Sequence, residues 1–388
     1  MQIRPSTIVD ALVLGAGPGG STAALHLERL GVPTLVLEAR APLATRPNVI
    51  DLSPEAVDAL RDVGAAGILD GRMGVGRRSG GAAIALRALE LHERDLLTQH
   101  GTPIEYGARI IAHEPGGGTG GTDLVRLADG RSISARRIIN ATGGRSGIED
   151  ALGMGLRFRG DWTWVASARV PHLPDLPTGE RITDRFAARL ESVDRGGELY
   201  PKIVVEPTAP ELERWRGTQW YGWQNPTDGL SMFQPVGSGD LQRLQPAELA
   251  ERLLAPALHR GVRRDQVLDA PRLIRIESAS VERARVGSVL AIGDAAGRAH
   301  AQHMVGTQLA LTDARRAAHA VASSLDPAQP TRAEHVLRAY DEQTRAAHAA
   351  VGAFDGTRVL AADPLRGLGR DVVELDGRAA WPAPPVST

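Results

Sequence analysis

Three stretches of this chain share one pattern, a short apolar run that ends in a small or polar turn. Ala11-Leu-Val-Leu14 leads into Gly15-Ala-Gly17-Pro18-Gly-Gly20-Ser21. Arg137-Ile-Ile-Asn140 leads into Ala-Thr142-Gly143-Gly-Arg145-Ser146, and Val289-Leu-Ala-Ile292 into Gly293-Asp294-Ala-Ala-Gly297. Apolar runs of this length bounded by glycine predict buried strands. Behind the first turn Ala24, Leu27 and Leu30 recur at helical spacing and Gly31 stops the run, so a helix is expected over 21–30. Thr34-Leu-Val-Leu-Glu38 then predicts the next strand, completing a βαβ unit. Alternation in Trp162-Thr-Trp164-Val-Ala-Ser-Ala-Arg169 and in Lys202-Ile-Val-Val-Glu206 predicts antiparallel strands. Helical spacing predicts helices over 246–259, 312–325 and 331–354, and Gly116 to Gly121 reads as a hairpin tip because no helix follows it.

The first turn has the chemistry of a dinucleotide site. Gly15 permits the tight turn, Gly17 lets backbone approach a pyrophosphate, and Gly20 lets helix pack on strand, while the helix amides face the phosphates. Glu38 closes the second strand at the distance expected of an acid on the adenosine ribose. The late turn points to the kind of dinucleotide: an acid such as Asp294, placed where a strand meets a helix, can hydrogen-bond a ribityl hydroxyl, which FAD has and NAD lacks.

The pairing of this glycine turn with the late Gly293-Asp294-Ala-Ala resembles the FAD-dependent monooxygenases of the p-hydroxybenzoate hydroxylase type, and their geranylgeranyl reductase and flavin-dependent halogenase relatives. The resemblance covers roughly residues 8–155 and 275–325. It implies an α/β fold: a Rossmann-like FAD-binding domain of the glutathione reductase-like type, an inserted antiparallel-sheet substrate domain, and C-terminal helices. The corresponding boundaries are 1–155 plus 277–350 for the discontinuous FAD-binding domain, 156–276 for the sheet domain and 351–388 for a C-terminal tail. By resemblance, Gly15, Gly17, Pro18, Gly20, Ser21, Glu38 and Arg40 hold the ADP part. Arg46 lies near the flavin, Arg87 leads a helix, and Ile110 ends up at the adenine. Thr142 and Gly143 belong to the middle turn, Gly293 and Asp294 hold the ribityl chain, and Val305 and Gly306 the pyrimidine edge. The family pattern continues as G-D-A-A-H, Pro, G-x-G and a helix-starting Asp. Here Gly297, Ala301, Met304, Gly306 and Asp313 occupy those positions. Thr142 and Glu149 stand where hydroxylases carry an Asp and an Arg.

Composition narrows the partners. Ten of the fourteen aromatic residues fall between residues 156 and 276, which marks the expected substrate lobe, with Trp220, Tyr221, Trp223, Phe233 and Met304 as candidate pocket residues. His300 and His303 are candidate acid/base groups on the loop expected to approach the flavin, and no third ligand is placed near them for a metal. Net charge is −1, with no aromatic-interleaved basic stripe, so nucleic acid is not expected. The absence of Cys excludes disulfides and thiolate chemistry and fits a reducing cytoplasm, and neither a signal peptide nor a membrane span is expected. No G-x-S-x-G elbow supports a serine hydrolase.

The function this implies is monooxygenation through a flavin hydroperoxide, on a hydrophobic small molecule of natural product biosynthesis. O₂ would be co-substrate, with NAD(P)H or a separate reductase as electron source. Two rivals stand beside it. One is a reductase or dehydrogenase of the geranylgeranyl reductase type, favoured by Ala141-Thr142-Gly143; the other is a non-redox cyclase or binder that uses FAD as a scaffold.

Overall fold

The structure is a computed structural model that describes residues 7–41, 49–69, 82–118, 120, 122–143, 152–173, 186–195, 198–207, 220–225, 229–298, 306–352 and 372–375. In chain order the first half comprises β1 (Thr7–Leu14), α1 (Pro18–Arg29), β2 (Thr34–Glu38), β3 (Val49–Leu52), α2 (Pro54–Asp62), β4 (Ala82–Ala85) and α3 (Leu86–Gln99). It continues with β5 (Ile104–Tyr106), β6 (Ile110–Glu114), β7 (Asp123–Leu127) and β8 (Ser132–Asn140). The second half comprises β9 (Leu156–Val170), β10 (Phe186–Arg195), β11 (Glu198–Pro207), β12 (Trp220–Asn225), β13 (Gly229–Val236), α4 (Ser238–Arg243), α5 (Pro246–His259) and β14 (Asp269–Val281). Then come β15 (Arg285–Val286), β16 (Val289–Ala291), β17 (Gly297–Arg298), α6 (Gly306–Ser324), α7 (Pro330–Gly352) and β18 (Val372–Glu374).

The three apolar runs with turns at their ends become neighbours in one sheet, ordered β15-β16-β8-β1-β2-β5, with the β6–β7 hairpin on the same edge of β8 as β16, nearer the start of the strand. β16, β8, β1, β2 and β5 are mutually parallel. Strands buried on both faces need continuous apolar sequence, and Ala11 to Leu14 are fully buried. α1, α2, α3 and α6 cover one face, where Ala23, Ala24 and Leu27 of α1 meet Ala314, Ala317 and Val321 of α6 in one core. α1 begins at Pro18, three residues before its first expected residue, since proline is preset for the first helical turn.

A second sheet, ordered β10-β11-β12-β13-β9-β14-β17, is antiparallel throughout. α5 covers one of its faces. This helix has the limits read from the sequence: Pro246 occupies the first turn and Glu248 accepts the Gln245 N–H at 2.9 Å. Trp164, Ala166, Ala168 and Val170 of β9 pack there with Leu249, Leu253 and Leu254.

Two expectations change. The helix expected from Thr312 begins at Gly306, because Ala310 is wedged against the first sheet's turns by tertiary contact that periodicity does not report. Within the stretch read as a tail from 351, α7 continues to Gly352 and Val372–Glu374 adds to β14 as β18. Leu375 is buried there and its N–H donates to Pro271 O, so a three-residue strand is fixed by an edge already formed. The end from Pro382 lies outside the described residues.

Candidate FAD site

The three turns meet because their strands end level with one another: Leu14 pairs with Asn140, and Asn140 with Ala291. Ligands of open α/β sheets gather at the carboxyl ends of such strands. The glycines are demanded by this convergence. Gly15 has φ +102°, and a Cβ there would stand 2.5 Å from Ala141 O and 3.2 Å from Thr142 Cα, so the middle turn is pressed against the first. A Cβ on Gly20 would fall 1.9 Å from Gly15 O.

Gly17 differs, since nothing lies within 4 Å of where its Cβ would be. It caps α1 in extended conformation with no side-chain cap, and the first turn of α1 contains no acid. An open cradle of uncapped amides is the donor set that a pyrophosphate requires, and here the residues fit FAD. Ser21 does not reach into this space; its hydroxyl donates to Ala16 O at 3.3 Å.

Glu38 closes the cradle. It is buried, and its carboxylate accepts the N–H of Ala16 at 2.9 Å and of Arg40 at 2.8 Å. The Arg40 guanidinium adds a two-pronged ion pair at 3.0 Å on each arm. Burial alone would favour the neutral acid, yet the hydrogen bonds and charge of Arg40, with the Ala16 N–H, hold the carboxyl below its ordinary range. The chain returns to this corner at residues 107–108, where Ala108 N–H donates to Glu38 O at 3.0 Å. Ile110 opens β6 two residues later, half-buried.

The middle turn is self-contained. Asn140 Oδ1 accepts from both the hydroxyl of Thr142 at 2.7 Å and its N–H at 3.2 Å, and Gly143 follows with φ +74°. In the late turn Gly293 has φ +56° and Asp294 sits in a single 3₁₀ turn. A Cβ on Gly306, the first residue of α6, would lie 3.4 Å from Asp294 Oδ1, so helix start and acid face each other.

Sequence reasoning missed what holds the late turn. Asp313 of α6 is fully buried; its Oδ2 accepts Gly293 N–H at 3.0 Å, and Nε2 of His348 on α7 stands 2.7 Å from the same oxygen. Nδ1 of His348 lies 3.0 Å from Gly297 O. The hydroxyl of Tyr340, also on α7, donates to Ala291 O. Asp313 had a signal, its place in the family pattern; His348 and Tyr340 had none. Ala310 likewise escaped notice, although a Cβ on Gly293 would stand 2.7 Å, and one on Gly19 3.1 Å, from its methyl group.

Other candidates are less tightly gathered. Arg87 is exposed in the first turn of α3. Arg46, His300, His303, Met304 and Val305 lie outside the described residues. Trp220, read as a pocket residue, is buried beneath α5 with Trp164, and its indole N–H donates to Arg252 O at 2.8 Å. Tyr221 and Trp223 occupy the next alternate positions of β12, in register with Phe233 and Ser231 of β13. Ser288 and His113 both contact Asp123, but at the far end of β8 from Asn140, where Asp123 pairs with Ala135.

The chain carries an FAD-binding domain, and its overall fold is that of solved FAD-dependent monooxygenases. Residues 8–71 match the FAD binding domain family. Aklavinone 12-hydroxylase RdmE of Streptomyces purpurascens is 27% identical over 195 residues, 40% of this chain and 36% of the relative. A menaquinone reductase of Mycolicibacterium smegmatis is 28% identical over 169 residues, 38% of this chain and 41% of the relative. The chain thus aligns with about two fifths of the length of these curated relatives. Among solved structures, PqsL, a probable FAD-dependent monooxygenase from Pseudomonas aeruginosa, superimposes with TM-score 0.64 at 18% identity, covering 89% of this chain and 94% of that one. Among the described residues no helix is long and apolar enough to cross a membrane.

Proposed function

We propose that this chain is an FAD-dependent monooxygenase of a hydrophobic small molecule in natural product biosynthesis, working in the cytoplasm with O₂ and with NAD(P)H or a partner reductase. The observation that carries the reading is the level ending of β1, β8 and β16, which puts the open cradle at Gly17, the Thr142 turn and Asp294 at one edge of the sheet. The amides of Gly17, Gly19 and Gly20 bind the pyrophosphate, and Glu38 with Arg40 orients the adenosine ribose. Asp294 accepts from the ribityl hydroxyls, and the Gly306 end of α6 receives the pyrimidine edge. When bound, FAD supplies the redox chemistry with oxygen.

The substrate lies against the β12–β13 side of the second sheet, at Phe233 and the positions of Tyr221 and Trp223. β12 approaches the β3–β4 ribbon of the first lobe, so these positions stand beside the FAD lobe rather than under α5. Trp164 and Trp220 fill the α5 side and keep it dry. The discontinuous organisation, with residues 156–276 as the sheet lobe, belongs to the same reading. His300 and His303 remain its candidates for proton transfer.

One observation favours a second reading. Ala141-Thr142-Gly143 lacks the acid of the hydroxylase turn, and a menaquinone reductase is among the relatives. The two are separated by anaerobic reduction with NADPH and NADH in the presence of candidate ligands, followed by reaction under ¹⁸O₂. Label in the product supports the monooxygenase; reduced product without label supports the reductase. Product without any flavin bleaching supports the non-redox reading and removes both.

A further inference from the structure

The late flavin turn is held from outside by a residue far along the chain. His348 is buried with Nδ1 at the Gly297 carbonyl and Nε2 at the Asp313 carboxyl group. Asp313 also receives the Gly293 N–H and the Arg316 guanidinium. One ring thus joins the two ends of the turn, the carbonyl end directly and the amide end through Asp313. The other charged and polar groups about this point are Arg298, next to Gly297 in β17, and Tyr340 and Asp341 on α7, while β14 presents the Ala279 carbonyl.

Gly297 is the counterpart of this arrangement. A Cβ there would stand 3.0 Å from His348 Nδ1, 3.3 Å from Ala279 O and 3.4 Å from His348 Cβ, with φ at +156°. The ring of His348 occupies the space a side chain at 297 would need, which explains why this chain carries glycine at that point of the turn.

We propose that His348, by bridging Gly297 and Asp313, is a positioning residue for the FAD-binding turn 293–297, so that α7 controls how firmly the cofactor is kept. The proposal rests on Asp294 being the ribityl ligand. His348 does not touch FAD; it fixes the carbonyl side of the turn directly and the amide side through Asp313, and thereby the direction of the Asp294 carboxylate between them.

The test is the FAD dissociation rate, followed by recovery of flavin fluorescence on dilution. Wild type, His348→Ala, His348→Gln, Gly297→Ala and Asp294→Ala are compared, together with the melting temperature of each apoprotein. His348→Ala should release FAD at least about tenfold faster. His348→Gln, which retains an N–H donor, should recover part of that loss. Gly297→Ala gives the same answer from the other side of the contact if His348→Ala does not fold.

Equal release rates for wild type and His348→Ala, with Asp294→Ala releasing fast, would overturn the clamp and leave the FAD site in place. A lowered apoprotein melting temperature in His348→Ala, with His348→Gln releasing FAD as fast as His348→Ala, would also overturn it, reducing His348 to a packing residue. Unchanged release from Asp294→Ala would remove the reading of the turn itself, and the clamp with it.

Discussion

The Glu38 carboxylate accepts the Ala16 N–H across 2.9 Å, tying the end of β2 to the first glycine turn. In the proposed site, the acid that would address the ribose is thus also the strut of the glycine turn. Glu38→Ala removes charge-assisted hydrogen bonds worth roughly 1.5–3 kcal/mol. FAD should bind at least about tenfold more weakly, with a lowered melting temperature; fluorescence titration of the apoprotein reads the first and thermal unfolding the second. The carboxyl titrates below its ordinary range in the folded protein, so its contribution is complete above that range and is lost as pH falls through the folded titration. Affinity unchanged in Glu38→Ala would assign the residue to the turn alone.

Ala310 is the spacer between the first glycine turn and the late turn. Its methyl group faces Gly19 and Gly293 at distances that leave no room for growth. Ala310→Leu should destabilise the apoprotein by about 1–3 kcal/mol by overpacking and should drive α1 and the late turn apart, so that the purified protein is colourless. A yellow Ala310→Leu protein of normal stability would show that the helices yield there.

His26 of α1 makes the first lobe acid-sensitive. Burial, then the neighbouring His319, push its imidazole down to about 4, against the partial opposition of Asp62. The two rings stand 6.3 Å apart. A histidine depressed in this way binds its proton more readily when unfolded, so stability is intact above pH 6.5 and falls as the pH drops toward 4. The full effect is about 3 kcal/mol. His26→Gln should flatten the dependence of melting temperature on pH across that window, and a slope equal to wild type would place the acid sensitivity elsewhere.

Under the proposed function, Trp220 is support and Phe233 is pocket wall. Trp220→Phe loses the hydrogen bond to Arg252 O and part of a packed volume, so it should lower stability by about 1–3 kcal/mol and leave the substrate KM unchanged. Phe233, half-buried on the other face, should behave in the opposite way: Phe233→Ala raises KM with a small change in melting temperature. Substrate protection of Trp220 fluorescence, unaffected by Phe233→Ala, would reverse these roles.

What the sequence made legible was local. β2 and α5 have the limits that periodicity and caps prescribe, since Thr34 to Glu38 and Pro246 to His259 need no distant partner to define them. The glycine turns were legible because glycine marks both the positive φ and the close approach at Gly15. Trp220 and Tyr221 were not separable, because adjacent strand residues go to opposite faces and only the register with β13 shows which face meets α5. The early start of α6 and the β18 addition depend on surfaces built by other parts of the chain. His348 lies 35 residues from Asp313 and 51 from Gly297, separations at which no spacing rule operates.

The position of β16 also governs how the protein is made. β8 carries Ile138 and Ile139 and offers β16 a free parallel edge, yet the residues that fill it, Val289 to Ala291, leave the ribosome some 150 residues later, after the whole second sheet. Until then a nascent chain holds an apolar, unpaired strand edge open, the kind of surface that recruits chaperones or seeds aggregation. Flavin supplied during translation cannot rescue that interval, because Asp294 emerges with the strand. Yield in a heterologous host should therefore respond to slower elongation and to chaperone supply more than to added riboflavin.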